Sequence, residues 1–241
     1  MKNSFKELSK TLLIAGSIAI FFRSIFFEPF NIPSGSMIPT LLVGDYLFVS
    51  KYSYGYSKYS FPFGLGPIKD RLLYKTPQRG DVIVFRKPGD ETVDYIKRLV
   101  ALPNDTVQVK EGILYINSKK AERVKTNIGI MKNVFGDEKV FTQYNEVFEG
   151  SKSHQIIEAS DNDPFDDTIL FKVPANHFFF MGDNRDNSRD SRTPEVGFVP
   201  KRNLIGKAEI IFFSHNSSAS IFEFWKWHKA IRFSRIGKAI E

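Results

Sequence analysis

No cysteine occurs among the 241 residues. Disulfides, thiolate metal sites and a cysteine nucleophile are therefore excluded, but the compartment is not revealed, because a disulfide-free chain folds in any of them. Histidine is nearly as scarce. His154, His177, His215 and His228 are the full set, and none stands in the H-x-x-x-H spacing of a metal-binding helix. The acidic run Asp161-Asn162-Asp163-Pro164 with Asp166 and Asp167 lacks the regular alternation, the glycine and the later glutamate of a calcium loop. Neither a metal nor another cofactor is expected. Long apolar runs are confined to the first thirty residues, so the chain has room for one membrane span.

Phenylalanine is abundant, with 24 residues against 2 tryptophans, and Lys plus Arg outnumber Asp plus Glu by 34 to 27. The net charge of +7 favours nucleic acid or anionic lipid as partner, or serves solubility alone. The length allows one substantial domain with an appendage, or two small ones.

Lys2, Lys6 and Lys10 precede the apolar run Thr11–Phe22, which continues past Arg23 into Ser24–Phe27 and stops at Glu28-Pro29. A cleavable secretory signal starts in the same way, but no small-residue exit site follows. A buried core helix is an alternative. An uncleaved anchor over residues 1–28 fits best, with the lysines in the cytoplasm, Arg23 reaching for the headgroups and the rest of the chain outside.

Three later stretches carry chemistry. Pro33-Ser34-Gly35-Ser36-Met37-Ile38-Pro39-Thr40-Leu41 sets a serine in a loop boxed by prolines, with Gly35 free to adopt angles other residues avoid. Read blandly, it is a turn leading into a strand. The second stretch is a strand from Thr92 to Leu102. Alternation puts Val93, Tyr95, Lys97 and Leu99 on one face and Asp94, Ile96 and Arg98 on the other. Lys97 is the one charge on an apolar face. Burial there would depress its pKa and let it accept a proton; otherwise it is a lysine snorkelling from a sheet edge. The third is Gly182-Asp183-Asn184-Arg185-Asp186-Asn187-Ser188-Arg189-Asp190-Ser191-Arg192, a hydrogen-bonded turn region delivered by the strand His177–Met181. Its alternating arginines argue against a cation site.

Around these, the texture is β: short apolar strands at 46–50 and 82–86, a hairpin at 107–116, runs near 139–142, 154–158 and 168–173, and closing strands at 196–200 and 204–213. Residues 52–68, rich in Tyr, Phe, Gly and Pro, form a loop that lies at a membrane interface, folds back on the core or stacks on single-stranded nucleic acid. From Ile221 the aromatic and basic tail is either an amphipathic segment on lipid or a frayed terminus.

Taken together, Pro-Ser-Gly-Ser-Met-x-Pro-Thr-Leu at 33–41, Gly-Asp at 44–45, Arg-Gly-Asp-Val-x-Val-Phe at 79–85, Asp-Tyr-Ile-Lys-Arg at 94–98 and the 182–192 run resemble the bacterial type I signal peptidases, the Ser/Lys leader peptidases, in the family's own order. The resemblance covers the anchor, residues 28–104 and 177–213, and matches the middle loosely. It implies a mostly β, antiparallel catalytic domain coiled into a barrel (29–104 with 177–215), an inserted small β subdomain (105–176) and a basic aromatic tail (216–241). By position it implies Ser36 as nucleophile and Lys97 as general base. Ser188 would hold the lysine, and Ser34 with the Ser36 N–H would form the oxyanion hole. Asp183 with Arg98, and Asp190 with Arg192, would be structural ion pairs. Phe30, Ile32, Leu41, Leu47, Val84, Tyr95 and Ile96 would line shallow apolar pockets suited to an Ala-x-Ala site. The implied protein is a monomeric, single-pass enzyme of the bacterial inner membrane, acting outside on signal peptides of secretory preproteins and touching lipid but no nucleic acid.

The chain departs from some members in having no second span and no disulfide. Two rivals differ in class. Self-cleaving Ser/Lys repressors carry a DNA-binding domain where this chain has its apolar start. An anchored, non-enzymatic β domain would have no use for Ser36, Lys97 and Ser188 together.

Overall fold

The computed structural model describes residues 2–64, 66–132, 138–160, 163–219 and 222–241. Asp161 and Asn162 of the acidic run, and Ile221 at the head of the tail, lie outside them. The chain opens with helix α1 (Lys2–Ile25). At 1.5 Å per residue its 24 residues span about 36 Å, against a hydrocarbon core of about 30 Å. Leu12, Leu13, Ile18 and Phe21 are exposed along it. The helix is long and apolar enough to cross a membrane and is consistent with an anchor.

The helix is longer than the apolar run because the lysine-bearing turns join it. It also stops sooner than the expected boundary at residue 28. Pro29 disfavours helical angles in the residue before it, and Phe27 already pairs with Ser50 as the first residue of a strand. The joint is tied by polar contacts. Arg23 pairs with Glu28, whose second oxygen accepts from buried Lys51 at 2.6 Å. The Tyr56 hydroxyl donates to the Ile25 carbonyl at 3.1 Å.

Among the described residues fourteen strands follow: β1 (Phe27–Asn31), β2 (Asp45–Ser50), β3 (Val82–Arg86), β4 (Asp94–Ala101), β5 (Thr106–Lys110), β6 (Ile113–Ile116), β7 (Lys119–Lys120), β8 (Glu122–Lys132), β9 (Glu138–Val147), β10 (His154–Glu158), β11 (Phe171–Lys172), β12 (His177–Met181), β13 (Val199–Pro200) and β14 (Leu204–Ser214). Seven form an antiparallel sheet in the order β1-β2-β14-β3-β4-β12-β13. Register shifts interrupt β14 between Leu204 and Gly206, Ala208 and Ile210, and Ile211 and Phe213. Such bulges add twist, and the sheet curls into a half-barrel.

Both faces of this sheet are covered, which is why its strands read as unbroken apolar runs. Val82 and Val84 pack with Leu47, Val49 and Ile211 on one side, while Ile83 and Phe85 pack with Leu99, Phe178 and Phe180 on the other. Along β12 the alternation repeats. Phe179 and Met181 turn away from Phe178 and Phe180 to meet Val107, Val109 and Leu114. The segment between β4 and β12 thus shares a core with the main sheet. It builds two small sheets, β11-β5-β6-β7 and β10-β9-β8. Glu111 and Gly112 turn the β5–β6 hairpin with φ of 49° and 71°, as a two-residue turn of the twisted type requires. Strand β8 escaped sequence inspection because it is exposed on both faces, Val124, Lys125, Asn127 and Ile128 alike.

Two ambiguous segments are also placed. In the aromatic loop Tyr54 and Tyr59 are buried, and the Tyr54 hydroxyl donates to Asp81 at 2.8 Å. The tail is not frayed. Arg235 grips Asp45 and donates to the Thr40 carbonyl at 2.9 Å, Ala239 bridges to Ile210, and Ile240 enters the Met37–Leu41 core. Phe222, Phe224 and Trp225 remain exposed.

Candidate active site

Three segments far apart in sequence converge on a cavity of about 590 Å³. The first is the turn that joins β1 to β2 and carries Ser36. Its shape is set from behind. Asn184 N–H donates to the Ser36 carbonyl at 3.1 Å, and the Asn184 side chain donates to the Gly35 carbonyl at 3.0 Å. Thr40 Oγ1 donates to Asp183 at 2.5 Å. Met37 and Leu41 drive the turn into the core, both fully buried. Gly35 lies outside the left-handed region, so the turn asks no unusual φ of it. A Cβ at Gly35 would meet Ile38 Cδ1 at 3.0 Å.

The second segment is β4. Its pairing with β3 sets Lys97 opposite Ile83, and the side chain is 4% exposed. Lys97 Nζ lies 2.6 Å from Ser36 Oγ and 3.1 Å from the Ile96 carbonyl. The Tyr95 ring centroid is 5.3 Å from the amine. Burial pulls the Lys97 pKa down to about 8; Asp190 and Asp183 oppose the shift and Arg192 assists it. A lysine so placed can both donate to and accept from the serine hydroxyl.

The third segment is the loop after β12. Gly182 is the point where the loops touch. A Cβ there would fall 2.2 Å from Ser188 Oγ and 2.5 Å from the Ser36 carbonyl oxygen. Asp190 accepts from Gly182 N–H at 2.9 Å and pairs with Arg192 at 2.9 Å. Arg98 forks onto both oxygens of Asp183, at 2.8 and 2.7 Å. Burial alone would raise both carboxyls, but the neighbouring arginine charges hold them below the usual range. Folded pKa values below the unfolded ones mean that these groups supply stability above about pH 4, and that it is lost as pH falls through their folded values.

Arg98 and Asp183 are both buried, so removing one partner strands the other. Asp183→Ala is expected to cost about 3–5 kcal/mol, read as a lower denaturation midpoint at pH 7. An unchanged midpoint would show the pair to be dispensable to the fold.

Most residues singled out from sequence meet here. Ser34 Oγ is 3.3 Å from Ser36 Oγ. Among the described residues nothing accepts the Ser36 N–H. Phe30, Ile32, Val84, Tyr95 and Ile96 line the cavity together with Ser34, Ser36 and Lys97. Leu41 and Leu47 do not line it, contrary to expectation. Both are completely buried in the core beneath the wall, where substrate has no access. Ser188 is buried beside Gly182 with its hydroxyl toward Asp190, and no bond joins it to Lys97. Thr40 and Asn184 were overlooked. Each stands inside a motif already noted, but nothing in a linear sequence shows that a threonine at 40 reaches an aspartate at 183.

Residues 5–213 match the family model described as signal peptidase, peptidase S26. The signal peptidase I of Rickettsia typhi is 39% identical over 239 residues, which span 92% of this chain and 88% of that protein. The signal peptidase I of Rickettsia conorii is 42% identical over 205 residues, spanning 82% of this chain and 75% of that one. Among solved structures, a signal peptidase I from Enterococcus faecalis V583 is 25% identical and overlays 55% of this chain and 97% of its own with a TM-score of 0.32. The fold above stands on the chain's own strand pairing.

Proposed function

Because the chain belongs to the signal peptidase family, peptidase S26, and is a serine endopeptidase, we propose that it removes N-terminal signal peptides from secretory preproteins with a Ser36/Lys97 dyad. The observation that carries this is the 2.6 Å contact between Lys97 Nζ and Ser36 Oγ in a buried site with the amine near pKa 8. The alternative base, histidine, does not line the cavity that holds Ser36: His154 is bonded to the Lys152 carbonyl and stands beside Glu146, His177 is bonded to the Ala175 carbonyl, and His215 packs on Tyr46 and Phe213.

The neutral Lys97 amine takes the Ser36 proton as Oγ attacks the scissile carbonyl carbon. The oxyanion that forms accepts from the Ser36 N–H and the Ser34 hydroxyl, which leaves its contact with Ser36 Oγ to do so. Lys97 then passes the proton to the leaving amine. Water, activated by the same lysine, clears the acyl-enzyme. Ser188, buried beside Gly182 and facing Asp190, steadies the amine once Ser36 has turned to substrate. The wall of Phe30, Ile32, Val84 and Ile96 is apolar and shallow, with Leu41 and Leu47 backing it. It admits alanine and rejects large side chains, which favours an Ala-x-Ala site.

Helix α1 anchors the enzyme in the bacterial inner membrane with the lysines inside and the catalytic domain outside, so that one chain acts alone on membrane-threaded preproteins. The exposed aromatics and lysines of 222–229 face lipid in this arrangement.

The test is cleavage of a preprotein carrying an Ala-x-Ala site by the full chain in detergent, beside Ser36→Ala and Ser34→Ala. Wild type should cut after the second alanine. Ser36→Ala should be inactive, and Ser34→Ala should lose roughly 10²–10³ in kcat. Cleavage by Ser36→Ala at the wild-type rate would remove the nucleophile assignment.

A further inference from the structure

We propose that the β8–β10 sheet is the outer support of the catalytic loop, and that Glu146 and Asp186 are positioning residues for the Ser36 site. This rests on Ser36 being the nucleophile.

Residues 183–186 lie between two layers. On the inner side Asn184 holds the carbonyls of Gly35 and Ser36. On the outer side the same residues are held by the segment between β4 and β12. Ile157 N–H donates to the Asp183 carbonyl at 2.9 Å, forming a parallel bridge between Ile157 and Asn184. Asp186 accepts from the N–H groups of Ala159 and Ser160, at 2.6 and 3.1 Å. Between these, Arg185 reaches away from the cleft and forks onto both oxygens of Glu146 on β9. Pair and neighbours are closed off from water, with His154 3.4 Å from Glu146.

The chain of contacts does not stop at Arg185. Its carbonyl accepts from Arg192 at 2.6 Å, Arg192 pairs with Asp190, and Asp190 holds the Gly182 N–H. Gly182 is where Ser36 and Ser188 meet. Neither Glu146 nor Arg185 lines the substrate cavity. A buried ion pair is a poor means of stabilising a fold compared with apolar packing, and its best-attested use is to fix one geometry among several. Here the geometry fixed is that of residues 183–186, on which the Ser36 carbonyl hangs.

The experiment uses the full chain and severs the two outer contacts separately, as Glu146→Gln and Asp186→Ala. Ser36→Ala and Ile128→Ser, on the exposed face of β8, serve as controls. In folded variants kcat should fall about 10–100-fold with KM within about twofold, because positioning rather than binding is lost. Arg185→Lys, which keeps the charge facing Glu146 but loses the fork, should give a rate between that of Glu146→Gln and wild type. Hydrogen exchange should show the Asn184 N–H losing protection while the β3 and β4 amides keep theirs. Should Glu146→Gln not fold, Asp186→Ala decides alone, since that side chain is only half-buried. Wild-type kcat in a folded variant, loss through KM alone, or an unchanged Asn184 exchange rate would overturn the proposal. An active Ser36→Ala would instead overturn the assignment of the site itself, and the exchange data would still report whether the loop is held from outside.

Discussion

Lys97→Met is expected to abolish turnover and to stabilise the fold at neutral pH. The two effects have one cause. Lys97 is 4% exposed, and burial brings its pKa from 10.5 to about 8. That shift serves catalysis. At pH 7 an amine of pKa 8 is neutral in roughly one molecule in ten, and an ordinary lysine in roughly one in three thousand, a gain of about 300-fold in competent base. Without the amine, kcat should fall by about 10⁴ or more, as for other members of a catalytic unit. The wild-type kcat/KM should rise through an acidic limb near pH 8.

The same shift costs stability, and its sign follows from linkage. Below pH 8 both folded and unfolded chains hold the proton, and the folded one bears the whole cost of the buried charge. Between about 8 and 10.5 only the unfolded chain holds it, so wild-type stability climbs with pH. The full cost is of order 3 kcal/mol for a shift of this size. Methionine fills similar space without charge, so the Lys97→Met chain should be more stable by up to that amount at pH 7, with the advantage fading toward pH 10.5. Urea melts at pH 7 and pH 10 test this. A variant less stable than wild type at pH 7 would mean that Asp190 and Asp183 need the charge more than burial opposes it.

Gly182→Ala should lower kcat by about 10²-fold or more with little change in KM. The added methyl would sit 2.2 Å from Ser188 Oγ and 2.5 Å from the Ser36 carbonyl oxygen. Neither atom can stay. The Ser36 carbonyl belongs to the backbone of the nucleophile, and a displacement of about 1 Å there is enough to cost 10² in rate. Single-turnover cleavage separates the chemical step from binding. A variant with wild-type kcat would show that the two loops have slack between them, and the tight geometry described for Ser36 would be wrong.

The candidate site was legible from sequence to different depths. Ser36 and Lys97 stood out because each sits against its local background, a serine between helix-breaking residues and a charge on an apolar strand face. The pairs Arg98–Asp183 and Asp190–Arg192 came from resemblance alone. Leu41 and Leu47 lie beneath the cavity wall and not on it; an apolar residue near a cleft and one beneath it look alike in sequence, and only accessibility separates them. Gly35 does not use the backbone freedom expected of it. The basic tail could not be placed because two of its arginines, Arg232 and Arg235, face inward to Asp45, whereas sequence reads charge as facing solvent.

What needed no fold to be seen was set by local chemistry: an apolar segment near the start, alternating strands, no thiol chemistry, and a serine and a lysine each in an unusual setting. What needed the fold was every relation across it. Curling of the sheet brings residue 36 to residue 97, one glycine lets residue 182 touch both Ser36 and Ser188, and a strand from 154–158 backs the loop at 183–186. Such relations depend on register and on the close packing of side chains from distant segments, and neither is written in the spacing of residues along the chain.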